Sequence, residues 1–445
     1  MPSKLLSFLP TTGSGLRFVP GNSWQPATGN INRRQVQWLA FILFSFFFLL
    51  SLTKVGSFTL DETLFHYPNV INYYQNGLGA TFNSEYSAAN TPLPYIIVAG
   101  LAKLVSPSLV LARIVTGIFS FFTLLVAMRI LNRHGANPYS IFVLLFYPYF
   151  FVNSFVFYAV NYGLFFALLG LLTLDREQEE SSYGRDLLAG ICLSLAVLCQ
   201  QFYLVVPAAI AFARTILILY QKRRPILPAL VQTTVGNIFL LLPLIAPALI
   251  FIRWKGLTHP NFHVHSLAFI PSTVTAILFV IGFYFIPYLI QSYKSITGRN
   301  VCLALAGAIL LVVLFRPVFS DFQGPGLFTG LTYHLMMLSG KISPLITTLS
   351  MIGLTFCGIL IFIVLCRSLS STWDYTLFMI CIFLAAAYAV NTQIGERHLL
   401  ALIIFLFLLV LPRIRTSVAG WYPWAMAILG MGYFFYWTFF KYGAV

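Results

Sequence analysis

The chain has 445 residues, of which 59% are hydrophobic and 8% charged, with a mean hydropathy of +0.87. That composition excludes a soluble globular protein, and apolar windows recurring from about residue 36 onward make it an all-α, polytopic membrane protein. The net charge of +15 comes from Lys and Arg scattered between apolar runs, which argues against nucleic acid and for the positive-inside pattern, with some attraction to anionic lipid.

Residues 1–35 are rich in Pro, Gly, Ser and Asn and reach Arg33-Arg34 without the pattern of a cleavable signal peptide. They are expected to form a short cytoplasmic tail, with residues 36–445 as one transmembrane domain. The first span covers about 36–56, and residues 57–106 form the first external loop. Within it, Glu62 to Asn76 places Phe65, Val70, Tyr73 and Tyr74 near helical spacing, which predicts an amphipathic helix at the interface. The stretch from Thr91-Pro92-Leu93-Pro94-Tyr95 to Val105 is apolar but short, and predicts an interfacial or re-entrant helix. Further spans are expected at about 108–131, 139–156, 159–174, 187–199, 202–220, 229–252, 268–290, 300–316, 344–366, 375–391, 398–412 and 419–440, about thirteen in all. The N-terminus is then cytoplasmic and the C-terminus external, with roughly seventeen Lys/Arg inside and about nine outside. The run from Asp175 to Asp186 reads as a solvated cytoplasmic loop. The six cysteines form no CxxC pair, so neither a disulfide framework nor a thiolate metal site is expected.

The external side collects the unusual residues. Asp61, Glu62 and His66 follow the first span, where ionisable groups are expensive to place and functional by default. Either acid could instead cap the interfacial helix. His259, His263 and His265 share one loop; the closely spaced pair His263/His265 could ligate zinc, although a phosphate or sugar contact fits better in the absence of a nearby third ligand. Glu396-Arg397-His398 is placed at the outer mouth of a late span, where Arg397 can hold a phosphate with its fork of donors. A Glu396–Arg397 surface pair or a snorkelling anchor is the bland alternative. Gln200-Gln201 and Arg316 are weaker signals of the same kind.

An Asp-Glu pair just after the first span, an interfacial helix and then a Thr-Pro-Leu-Pro turn resemble the GT-C glycosyltransferases, multi-span enzymes that use polyprenyl-phosphate-linked sugars at the lumenal or periplasmic face. In detail, Asp61-Glu62-Thr63-Leu64-Phe65-His66 is similar to an Asp-Glu-Ile-Phe-His element of the dolichyl-phosphate-glucose α-1,2-glucosyltransferases. Ala89-Asn90-Thr91-Pro92-Leu93-Pro94 stands where those enzymes have Thr-Thr-Pro-Pro, and Cys199-Gln200-Gln201-Phe202 faintly resembles their Arg-Gln-Thr-Asn element. The protein mannosyltransferase and aminoarabinose transferase families are related. The match is confined to these short stretches, so glucose specificity is not carried over.

The resemblance implies a transferase that moves a hexose or pentose from a polyprenyl-phosphate donor to a hydroxyl on a glycan, lipid-linked glycan or protein. Asp61 would act as general base with Glu62 assisting, since an acceptor hydroxyl must lose its proton as it attacks. His66, His263, His265, Gln201, Glu396, Arg397 and Lys341 would bind substrate, with Arg397 stabilising the leaving phosphate, helped by a loop histidine or Lys341. A single displacement inverts the anomeric centre. No cofactor is expected, with a divalent cation as the alternative; the partners are donor, acceptor and membrane lipid, and no nucleic acid. The expected location is a bacterial inner membrane or the endoplasmic reticulum, with the site on the periplasmic or lumenal side. The rival readings are a transporter or lipid flippase, or a glycan polymerase or ligase.

Overall fold

In a bilayer every backbone N–H and C=O must find its partner within the chain, and helices supply one for nearly all of them. The computed structural model describes residues 33–52, 62–86, 88–175, 183–220, 226–261, 268–320, 327–391, 395–414 and 416–441, and these are predominantly helical. Helix α1 (Arg33–Leu52) precedes a π-helical turn over Glu62–His66 that runs directly into α2 (Tyr67–Asn76) and a 3₁₀ turn over Gly77–Phe82. Next come α3 (Leu93–Val105), α4 (Leu109–Arg133), α5 (Ser140–Leu145), α6 (Pro148–Asn153), α7 (Ala159–Leu174), α8 (Tyr183–Cys199) and α9 (Val205–Tyr220). The second half holds α10 (Ile226–Leu241), α11 (Ile245–Trp254), α12 (Pro271–Ser292), α13 (Gly298–Leu314), α14 (Leu331–Ile342), α15 (Pro344–Ser368), α16 (Thr372–Ala389), α17 (Leu400–Val410) and α18 (Thr416–Phe435). Among the described residues, strand structure is limited to a two-residue parallel pair, Val318–Phe319 with Leu327–Phe328.

Seven of the described helices are long and apolar enough to cross a membrane, and three shorter ones are also apolar. The chain is a multi-pass membrane protein. The expected helix over Glu62 to Asn76 is present, with Val70 and Tyr73 buried and Leu64, Phe65 and Tyr74 exposed.

Two expected spans differ. The stretch 139–156 is two six-residue helices broken at Tyr147, because Pro148 pushes the residue before it out of helical geometry and suits the first position of a new helix. Every residue from 140 to 164 is buried, so this segment threads the protein interior rather than facing lipid. The stretch 398–412 contains α17, whose 11 residues are all buried. It rises about 16 Å, roughly half of a hydrocarbon core.

Helix α4 fixes the polarity of the bundle. One end holds Arg113, bonded to Glu62, and the other holds Arg133 and His134, bonded to Asp175 at the end of α7. His134 stacks on Trp373, next to Asp374, which pairs with Arg413, and Asp186 pairs with Arg214. Asp175, Asp186 and Asp374 thus each meet an arginine at the face opposite α2. Elsewhere α12 and α15 cross closely: a Cβ on Gly282 would overlap the Leu354 carbonyl, and one on Gly358 the Leu278 carbonyl. Small residues of this kind let helix backbones approach where no hydrophobic effect drives them together.

Candidate active site

Glu62 opens the π-helical turn and is fully buried. Its carboxylate accepts two bonds from Arg113, Nε to Oε1 at 2.9 Å and Nη2 to Oε2 at 2.6 Å, and a third from the Phe157 backbone N–H at 2.8 Å. Arg113 is also fully buried. Its charge is balanced in an interior ion pair that ties the first loop to α4 and to the chain entering α7.

His66 ends the same turn. Its Nδ1 is 2.8 Å from Tyr95 Oη on α3, and its ring packs edge-on against Tyr158 with centroids 4.9 Å apart. Arg397 also meets Tyr158, donating from Nη1 to Tyr158 Oη at 2.5 Å, with its guanidinium carbon 5.4 Å from that ring. Tyr158 therefore joins two groups that lie more than 300 residues apart in sequence, the loop that follows the first span and the Glu396-Arg397 element.

Glu396 does not form the surface pair with Arg397 considered above. It is fully buried, and its carboxylate accepts from Tyr284 Oη at 2.5 Å, the Thr332 N–H at 2.9 Å and Thr332 Oγ1 at 2.8 Å. Two of those bonds cap the first turn of α14, whose Leu331 N–H donates to Tyr149 Oη at 2.6 Å. Gly330, at φ +147°, precedes that helix; a Cβ there would sit 2.5 Å from Glu396 Cβ. Tyr284 lies thirteen residues along α12 from Pro271, about 20 Å of helix. Glu396 is thus held inside the bundle, beside Tyr284. Glu396 is a scaffold for α14 in this arrangement, while the half-buried Arg397 beside it turns toward Tyr158.

Gln201 donates from Nε2 to the Ala89 carbonyl at 2.9 Å, and Thr91 Oγ1 donates to the Val197 carbonyl at 2.6 Å. Together they dock the Asn90-Thr91-Pro92 turn onto the end of α8. Lys341 is exposed near the end of α14, nine residues beyond Thr332. The helix rise of about 13 Å over that distance sets it away from the Glu396 carboxylate. His259 is buried between Tyr86 and Trp254, at 5.2 and 5.5 Å, and burial lowers its pKa. Asp61, His263 and His265 lie outside the described residues. Among the described residues no group of three or more His, Cys, Asp or Glu could hold a metal ion.

Sequence reasoning missed Arg113, Tyr158, Tyr284 and Thr332. Arg113 carried a readable signal, as a lone charge in an apolar run, which is costly unless paired. Tyr158 and Tyr284 carried none, being two of 23 tyrosines.

No family model and no curated protein matches the chain. Among solved structures, ArnT from Cupriavidus metallidurans bound to undecaprenyl phosphate is similar with a TM-score of 0.45 and 15% identity, over 90% of this chain and 76% of that one. ArnT from the same organism in the apo state gives 0.41 and 16%, over 90% and 78%. Likeness of this size carries no argument for fold or activity, so the functional reading rests on the chain's own residues.

Proposed function

We propose that the chain is a membrane glycosyltransferase that moves a sugar from a polyprenyl-phosphate donor to a hydroxyl acceptor on a glycan, lipid-linked glycan or protein. The observation that carries this reading is that Arg397 and His66, the latter five residues after Asp61, both contact Tyr158. It supports a role for the Arg397 guanidinium, a fork suited to phosphate, close to the loop that bears the Asp-Glu pair. Because Glu62 is committed to Arg113, the base falls to Asp61. The acceptor oxygen attacks the anomeric carbon, Asp61 takes the hydroxyl proton, and the bond to the phosphate oxygen breaks with its electron pair going to the lipid phosphate. Arg397 offsets the charge that develops on that leaving group. One displacement inverts the anomeric centre. A membrane-embedded carrier explains why the reaction would sit inside a helical bundle.

The test is to incubate the purified protein with a panel of polyprenyl-phosphate sugars and measure release of lipid phosphate. Asp61→Asn should abolish release with folding and donor binding intact. Normal turnover by that variant removes Asp61 from the mechanism, and no release with any donor removes the transferase reading.

A further inference from the structure

Tyr158 stands where the chain enters α7, and its neighbours show what a bare ring supplies there. Phe155 and Phe157 are fully buried without a hydroxyl, so filling space at this point needs no phenol. Tyr158 is extended, at φ −131° and ψ 135°, and its side chain does not cap α7. The chain just before it is fixed, because the Phe157 N–H donates to Glu62 Oε1 at 2.8 Å and Glu62 is itself clamped by Arg113. Its ring packs edge-on against His66, and only 8% of the residue is exposed. The hydroxyl is therefore held in a set place, and there it accepts the bond from Arg397 Nη1. A long arginine side chain loses rotamer freedom whenever its fork is used, and a bond already made at one end removes part of that cost in advance. A carboxylate in place of the phenol would orient the fork as well, but it would also cancel charge that attracts a phosphate.

We infer that Tyr158 is a positioning residue whose hydroxyl holds the Arg397 guanidinium ready for the phosphate of the lipid-linked substrate. This rests on the transferase reading given above and adds to it the strut that carries alignment from the first loop to the phosphate-binding group: Arg113 to Glu62, Glu62 to the Phe157 N–H, and Tyr158 to Arg397. The buried ion pair thereby has a task in substrate binding besides its hold on the first loop.

The probes are undecaprenyl phosphate and dolichyl phosphate, with the two parent alcohols as controls, and dissociation constants are measured on purified full-length protein in detergent. Tyr158→Phe removes one oxygen and keeps the ring against His66. It should bind the lipid phosphates about three- to tenfold more weakly than wild type, from the ordering that Arg397 must then undergo on binding. It should bind the alcohols as wild type does, because they present no phosphate to the fork. A merely structural role for Tyr158 would weaken phosphate and alcohol alike, since the two carry the same tail. Wild-type phosphate affinity in Tyr158→Phe, equal losses for phosphate and alcohol, or failure of the variant to fold overturns the inference while leaving the transferase reading in place. Failure of wild type to bind either lipid phosphate, by contrast, overturns both.

Discussion

The Glu62–Arg113 pair offers the sharpest test of the site's construction. Both side chains are fully buried, the two bonds between them measure 2.6 and 2.9 Å, and the Phe157 N–H adds a third bond to the carboxylate. Glu62→Gln keeps the shape and an acceptor for Phe157 but strands a guanidinium in the interior; Arg113→Met strands a carboxylate. Removing one partner of such a pair costs about 3–5 kcal/mol, whereas removing both charges together is close to neutral. The double variant Glu62→Gln/Arg113→Met should therefore be more stable than either single variant, with a coupling of several kcal/mol in a double-mutant cycle. Equilibrium unfolding in mixed micelles reads this directly. If Glu62→Gln unfolds like wild type, or the double variant loses the sum of the two singles, the pair does not hold the loop as described. The experiment also separates the neighbours: Glu62→Gln should lose activity along with stability, and Asp61→Asn should lose activity alone.

The other expectations are independent of that pair. Arg397→Ala should fold normally, lose a few kcal/mol of transition-state stabilisation and fail to be stabilised by undecaprenyl phosphate, with Arg397→Lys intermediate because an ammonium cannot form the fork; retained lipid stabilisation in the alanine variant refutes the assignment. Gly330→Ala should cost about 1–3 kcal/mol in the unfolding assay, from positive-φ strain and from collision with Glu396, and wild-type stability would sink that account. Burial lowers the pKa of His259 from its ordinary 6.5, so the unfolded chain binds that proton more readily than the folded one. Its contribution is complete above about pH 6.5 and declines as the pH falls from there toward the folded value; His259→Gln should flatten that part of the stability profile, and an unchanged profile refutes it. Cysteines introduced at Ser84 and Ser181 should label from opposite sides of the membrane, and labelling from one side overturns the topology.

Hydropathy alone determined the membrane class and most helix positions, because the bilayer imposes a local constraint: each apolar run must satisfy its own backbone. The helix over Glu62–Asn76 was legible from the short-range spacing of its apolar residues, of which Val70 and Tyr73 are buried while Phe65 and Tyr74 are exposed. Residues 140–156 and α17 were misread as continuous spans because a segment buried among other helices is as apolar as one facing lipid, and hydropathy does not distinguish protein from hydrocarbon. The site was legible as residue types at a face and no further. Glu62 and Asp61 look equivalent in sequence, and it took Arg113, 51 positions away, to commit Glu62 to the interior. Glu396 and Arg397 look like a pair of neighbours, yet Tyr284 and Thr332 claim the carboxylate while Tyr158 meets the guanidinium. Those choices depend on which helices lie side by side, and side-chain partners so far apart along the chain are set by tertiary packing rather than by local pattern.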